Sequence, residues 1–174
     1  MASKIKVDQL ETADGSGTIA LQNQLSGMTS ASMPTGAVLQ VLQHNKTGTY
    51  VATTNTSFVA TGLTKTITPS STSSKIRIDI SFLADAGDTS SAVWFTVKRG
   101  STNLSSNTLS AFTGLSTVAN GRILTGISHS YLDSPNTTSA TTYEVYMKSG
   151  NSSHTVRLRT DESVATLILT EIKG

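Results

Sequence analysis

The sequence predicts an all-β protein: an antiparallel β-sandwich of jelly-roll type, preceded by an extended N-terminal segment. Three observations carry that reading. Twenty-six Ser and 29 Thr fill almost a third of the 174 positions, while charged residues make up only 14%; a helical bundle needs Ala, Glu, Lys, Leu and Arg in bulk. Thr and Val, both abundant here, favour pleated, half-buried backbone. Apolar and polar residues alternate in short runs set off by Gly, Pro, Asn and Ser clusters, the period-two pattern of strands with one covered face. With 36% hydrophobic residues and a formal net charge of +2, the chain has apolar content for one core and too little charge for disorder by repulsion.

Residues 1–34 stand apart from the rest. Ile5, Val7 and Leu10 alternate loosely with Lys4, Lys6 and Asp8, a turn follows at Ala13–Gly17, and then come Ile19, Leu21 and Leu25. These apolar positions are too few for a core, so the segment is expected to order by lying against sister chains or a larger particle. Met33-Pro34-Thr35-Gly36 punctuates the boundary, and residues 35–174 form the head domain.

In the head, Val38, Leu39, Val41 and Leu42 are too dense for strict alternation and predict a strand covered on both faces. Leu63 to Pro69 is a strand closed by the turn at Pro69-Ser70-Ser71. Lys75 to Phe82 alternates most cleanly, with Ile76, Ile78, Ile80 and Phe82 on the core face. Asp85-Ala86-Gly87-Asp88 reads as a turn. Val93, Phe95 and Val97 alternate with Trp94, Thr96 and Lys98, which puts Trp94 opposite the core and asks for a second buried surface. Residues 100–120 read as a long loop with one short strand at most. Strands resume at Gly121 to Leu132, with Ile123, Ile127 and Tyr131 on one side, and at Thr141 to Lys148, with Tyr143, Val145 and Met147 inward. Ser149-Gly150-Asn151-Ser152 reads as a hairpin turn into His154 to Thr160, whose Arg157 and Arg159 point outward, onto a solvated face or, as the alternative, against an acidic partner or neighbouring subunit. Asp161-Glu162 forms the tip before Val164 to Ile172, the last strand. Eight or so strands at this spacing make a sandwich, and no fixed repeat points to a propeller or solenoid.

Several function classes are excluded on chemical grounds. Thirteen Lys and Arg face 11 Asp and Glu, scattered without interleaved aromatics, so no nucleic-acid partner is expected. With no Cys there is neither a disulfide framework nor a thiolate metal site. No apolar run is long enough to span a membrane, and Met1 to Ile5 lacks the apolar core of a signal peptide, which predicts synthesis and assembly in the cytoplasm. His44, His129 and His154 are the only imidazoles, and neither a Gly-x-Ser-x-Gly elbow nor a His-x-His pair accompanies them. No catalytic residue, metal site or cofactor is therefore expected.

Phe58-Val59-Ala60-Thr61-Gly62-Leu63, followed by Thr66-Ile67-Thr68-Pro69-Ser70-Ser71-Thr72-Ser73-Ser74-Lys75-Ile76, resembles the head domain common in structural proteins of tailed bacteriophages, marine ones especially, of the tail-fibre or virion structural kind. Leu132-Asp133-Ser134-Pro135, Thr141-Thr142-Tyr143 and Leu167-Ile168-Leu169-Thr170-Glu171-Ile172 look like later blocks of the same domain. Lys4-Ile5-Lys6-Val7-Asp8 with Gly15-Ser16-Gly17-Thr18-Ile19 is similar to the attachment segments ahead of such heads. The resemblance implies a jelly roll like those of complement and tumour-necrosis-factor trimers, three copies around an axis, and no catalytic motif.

The expected protein is a non-enzymatic, homotrimeric virion surface protein of a phage, a short tail fibre or tail-tip adhesin; the alternative is a capsid decoration or head-fibre protein. Ile5, Val7, Leu10, Ile19 and Leu21 are expected to attach it to other virion proteins, and Trp94, Leu39 and Val41 to form the trimer interface. Loops at the ends of the sandwich are free to vary. The 100–120, 85–91 and 133–140 segments, with Asn103, Asn107 and Asn120, are thus expected to face a host surface glycan or protein.

Overall fold

A computed structural model describes residues 32–87, 91–116 and 121–174. Ile5, Val7, Leu10, Ile19, Leu21 and Asn120 lie outside the described residues. Eleven strands are formed among them, and no α-helix: β1 (Val38–Lys46), β2 (Val51–Thr53), β3 (Val59–Ile67), β4 (Lys75–Ala86), β5 (Ala92–Arg99), β6 (Thr102–Asn103), β7 (Thr113–Ser116), β8 (Ile123–Asp133), β9 (Thr141–Ser149), β10 (Val156–Arg159) and β11 (Ala165–Ile172).

The strands make two antiparallel sheets. In the first, β4 is the spine: β8 pairs along one edge from Ile76 to Ala86, while the other edge is shared by β11, against Lys75–Ser81, and β10, against Leu83–Ala86. β1 extends the sheet beyond β11 and β2 extends it beyond β10. In the second sheet the order is β3, β9, β5, and the far edge of β5 is shared by β7 and β6.

Alternation decides what each sheet turns inward. Ile76, Ile78, Ile80, Phe82, Ala84 and Ala86 of β4 meet Val93, Phe95 and Val97 of β5 and Tyr143, Val145 and Met147 of β9 in one buried cluster. The rings of Phe82 and Phe95 lie 4.6 Å apart and join the two sheets at its centre. Each Val, Ile, Phe or Met side chain among them contributes about 1.5–3 kcal/mol by leaving water. Two buried carboxylates stitch the margins of this core. Asp133 takes Arg99 Nη1 at 2.8 Å and the Tyr143 hydroxyl at 2.7 Å, tying β8 to the second sheet. Glu171 accepts from Gln40 Nε2, from the Ser70 amide and hydroxyl, and from the Ser74 hydroxyl, all at 2.6–2.7 Å, pinning the β3–β4 turn.

Five expectations need correction. The 100–120 segment holds two short strands, β6 and β7, where one at most was expected, because both pair with the edge of β5. Asp85-Ala86 is not a turn but the end of β4, and Asp85 is fully buried. Ser149–Ser152 is not a hairpin, because β9 and β10 belong to different sheets and the segment crosses between them. The apolar density at residues 38–42 reflects a bulge between Val38 and Gln40, which shifts the alternation by one residue; among the described residues only one side of β1 is covered, and Val38 and Val41 are exposed. Arg157 and Arg159 do not lie on a freely solvated face, since both reach Asp85.

Candidate functional site

The outward side of the second sheet carries an open groove of about 440 Å³ lined by Thr56, Ser57, Phe58, Lys98, Ser101, Asn103, Ser110 and Lys148. It is built from the segment before β3, from β9, β5 and β6, and from the loop after β6, with Lys98 and Lys148 on adjacent strands four register positions apart. Trp94 stands opposite Lys148, Thr96 opposite Tyr146 and Lys98 opposite Glu144. Val93, Phe95 and Val97 point into the core, so Trp94, Thr96 and Lys98 must point out.

Both lysines are held by aromatic rings. Lys98 Nζ lies 4.2 Å from the centroid of Tyr146, and Lys148 Nζ lies 4.6 Å from that of Phe58 while donating to the Leu109 carbonyl at 3.0 Å. Cation–π contacts at exposed sites contribute about 0.5–1 kcal/mol and fix the ammonium without neutralising it. Glu144, the carboxylate opposite Lys98, turns away and accepts from the Gly62 amide at 3.1 Å. Gly62 has φ +72° at an irregularity in the β3–β9 ladder, a backbone shape that favours glycine. Among the described residues, neither Lys98 nor Lys148 has a carboxylate within ion-pair distance.

The asparagines in the 100–116 segment are braces. Asn103 Oδ1 accepts from the Thr96 hydroxyl at 2.5 Å and the Ser105 amide at 3.1 Å, and its Nδ2 donates to the Ser110 carbonyl at 2.8 Å. Asn107 donates to the Ala111 carbonyl and accepts from the Ala111 amide at 3.1 Å. Asn103 thus lines the groove with its amide already engaged, while Asn107 shapes the loop from inside. Trp94 is half-buried: a Cβ added to Gly114 would come within 2.4 Å of Trp94 Cε3, so the indole lies against the bare backbone of β7.

A second surface is the outward side of the first sheet. Pairing sets Val41, Thr170, Arg77 and Leu132 in one row across β1, β11, β4 and β8, with Gln43, Ile168, Asp79 and Ser130 in the next and Asn45, Thr166, Ser81 and Ser128 in a third. Val41 is 58% exposed and Leu132 54%. Beneath the second and third rows lies a small recess of about 190 Å³ between β8, β4 and β11. Leu39, at the β1 bulge, is half-buried. Val41 and Trp94 therefore stand on the outward sides of different sheets.

At the other end of this face, Asp85 gathers three arginines from two segments, β10 and the residue before β8. Arg122 pairs with it through two bonds of 2.9 and 2.7 Å, and Arg157 and Arg159 approach at 3.4 Å. Burial pushes the Asp85 carboxyl up, but the Arg122 hydrogen bonds and the charges of Arg122 and Arg157 outweigh it and hold the group below its ordinary value. Arg159 also pairs with Asp161 at 2.9 Å and with Glu162, and Tyr50 lies 5.6 Å from both Arg157 and Arg159. His44 accepts from the Thr64 amide at 3.2 Å, and His129 stacks on Phe112.

Lys98, Lys148, Phe58 and Tyr146 were not singled out from the sequence. Alternation in residues 92–99 and 141–149 puts each lysine opposite the core, but pairing of β5 with β9 brings them together, and pairing leaves no mark in either run. No protein-family model matches the chain, and no curated protein matches it.

Proposed function

We propose that the chain is a non-enzymatic surface protein of a phage virion, a short tail fibre or tail-tip adhesin. Its head is a jelly-roll sandwich that assembles as a homotrimer and presents the outward side of the second sheet to the host. The strand orders β1-β11-β4-β8 and β3-β9-β5-β7 support the jelly roll, since they follow from folding a long antiparallel hairpin over itself into two four-stranded layers.

The observation that carries the trimer is β8. It is an edge strand of 11 residues with Ile123, Leu124 and Leu132 exposed, and it contains no Lys, Glu or Pro between Ile123 and Leu132. Edge strands of stable monomers are short, bulged, charged or covered. An edge left unpaired among the described residues, beside the Val41–Leu132 row, is suited to being closed by further copies of the same chain. Attachment through residues 1–34 leaves the head free, and three heads on one stalk supply avidity for a weakly bound surface.

Native mass spectrometry of the full chain tests the assembly: three times the 18.2 kDa chain mass is expected, and Val41→Lys with Leu132→Lys should yield folded monomers. Labelling of intact virions at Gly174 then tests the position. Label at the tail tip is expected; label distributed over the capsid would replace the adhesin by a decoration protein.

A further inference from the structure

We propose that the groove on the outward side of the second sheet binds an anionic saccharide, with Lys98 and Lys148 receiving its carboxylate or sulfate groups. This rests on the adhesin reading and names the chemistry of its ligand. Two ammonium groups line one groove, each set on a ring face, with no carboxylate of the described chain within ion-pair distance. The carboxylate that could neutralise Lys98 is held by the Gly62 amide instead. A pair of positioned cations with no carboxylate of the described residues in ion-pair contact favours an anion as partner.

The rest of the lining identifies the carrier of that charge. Thr56, Ser57, Ser101 and Ser110 offer short hydroxyl side chains around the two cations, a donor and acceptor set suited to sugar hydroxyls. The volume of about 440 Å³ is in the range of small-ligand sites, and its open form admits an internal stretch of a polymer. Buried Thr96 and braced Asn103 fix the floor, so little ordering is required on binding.

Isothermal titration of the full chain with alginate, dextran sulfate and neutral dextran tests this. Alginate or dextran sulfate should bind and neutral dextran should not; which of the two binds tells carboxylate from sulfate. Lys98→Gln with Lys148→Gln should weaken binding about tenfold, the size expected from two partly exposed charge contacts. Lys46→Gln with Lys65→Gln removes the same charge elsewhere and should leave affinity within about twofold. Binding of neutral dextran as tight as that of the polyanions, no binding of either polyanion, or an equal loss in both double variants would overturn the proposal. A trimer at the tail tip that fails these titrations removes the groove inference alone; a failure of trimer or tail placement removes the adhesin reading whatever the titrations give.

Discussion

Two basic clusters lie among the described residues, and they are built in opposite ways. Arg122, Arg157 and Arg159 converge on Asp85, a carboxylate with no solvent exposure. Lys98 and Lys148 rest on the rings of Tyr146 and Phe58 and face the groove. The planar guanidinium suits the first arrangement because it delivers several donors to one acid; the ammonium, a point charge on a flexible stem, suits the second. Charges closed on one another serve the fold, joining β4, β10 and the start of β8. Charges left open cost little stability and stay available to a ligand.

The sharpest way to break this comparison is to remove the acid. Asp85→Asn leaves Arg122 and Arg157 without their shared partner and leaves Arg159, which is almost buried, to Asp161 and Glu162 alone. A loss of about 3 kcal/mol is expected from urea unfolding. That is the low end for breaking a buried pair, because Arg122 is half exposed. A loss under about 1 kcal/mol would mean that the cluster is not a structural clamp.

The same acid sets the response to pH. Asp85 and Glu171 are both held below their ordinary values. Burial raises each, but arginines at Asp85, and Gln40, Ser70 and Ser74 at Glu171, more than offset it. A carboxyl lowered in the folded state contributes its full stability above its ordinary value and loses it as pH falls through the folded one. Stability should therefore hold down to about pH 4, near the ordinary carboxyl values, and fall below it. In Asp85→Asn the acid limb should be shallower. An unchanged slope would assign the acid sensitivity to Glu171 and the remaining carboxylates.

How much of this was legible beforehand depended on whether the signal was local. The core residues of β4, β5 and β9 alternate within single strands, and Ile76, Phe95 and Tyr143 lie inward where the alternation puts them. Asp85 could not be read that way. Its sequence neighbours suggest a turn, and its partners Arg122, Arg157 and Arg159 lie 37 to 74 residues away. The β9–β10 connection misled for a related reason: Ser149–Ser152 has hairpin chemistry, yet the chain uses it to pass between sheets. Trp94 was placed on the correct face, but the bare backbone of Gly114 that receives it belongs to a strand scarcely visible among Ser and Thr.

Gly114 offers a test on the groove side. An added Cβ would meet Trp94 Cε3 at 2.4 Å and the Val93 carbonyl at 2.5 Å. Gly114→Ala should therefore cost about 1–3 kcal/mol by forcing ring and backbone apart, and tryptophan fluorescence should shift with it. Asn103→Ala is expected to cost about 1 kcal/mol, leaving the Thr96 hydroxyl and the Ser110 carbonyl without that partner. Hydrogen exchange should quicken at residues 103–112 and remain unchanged in β4. A loss of glycan binding in this variant would then report a deformed groove, whereas unaltered exchange would free Asn103 for a contact role.

The smallest stability effect should come from the lysines, and it separates the two clusters most directly. Replacing Lys98 and Lys148 by Gln removes two cation–π contacts, each about 0.5–1 kcal/mol at an exposed site. It also relieves the repulsion between two cations in one groove. The terms oppose each other, so unfolding free energy should change by less than about 1 kcal/mol. Added salt offers a parallel reading: screening acts strongly on exposed charges and weakly on buried pairs. Raising ionic strength should therefore weaken polyanion binding steeply while leaving the Asp85 clamp, measured as the gap between parent and Asp85→Asn, nearly constant. If the double lysine variant lost as much stability as Asp85→Asn, the groove cations would belong to the fold, and the division between closed and open charge would fail.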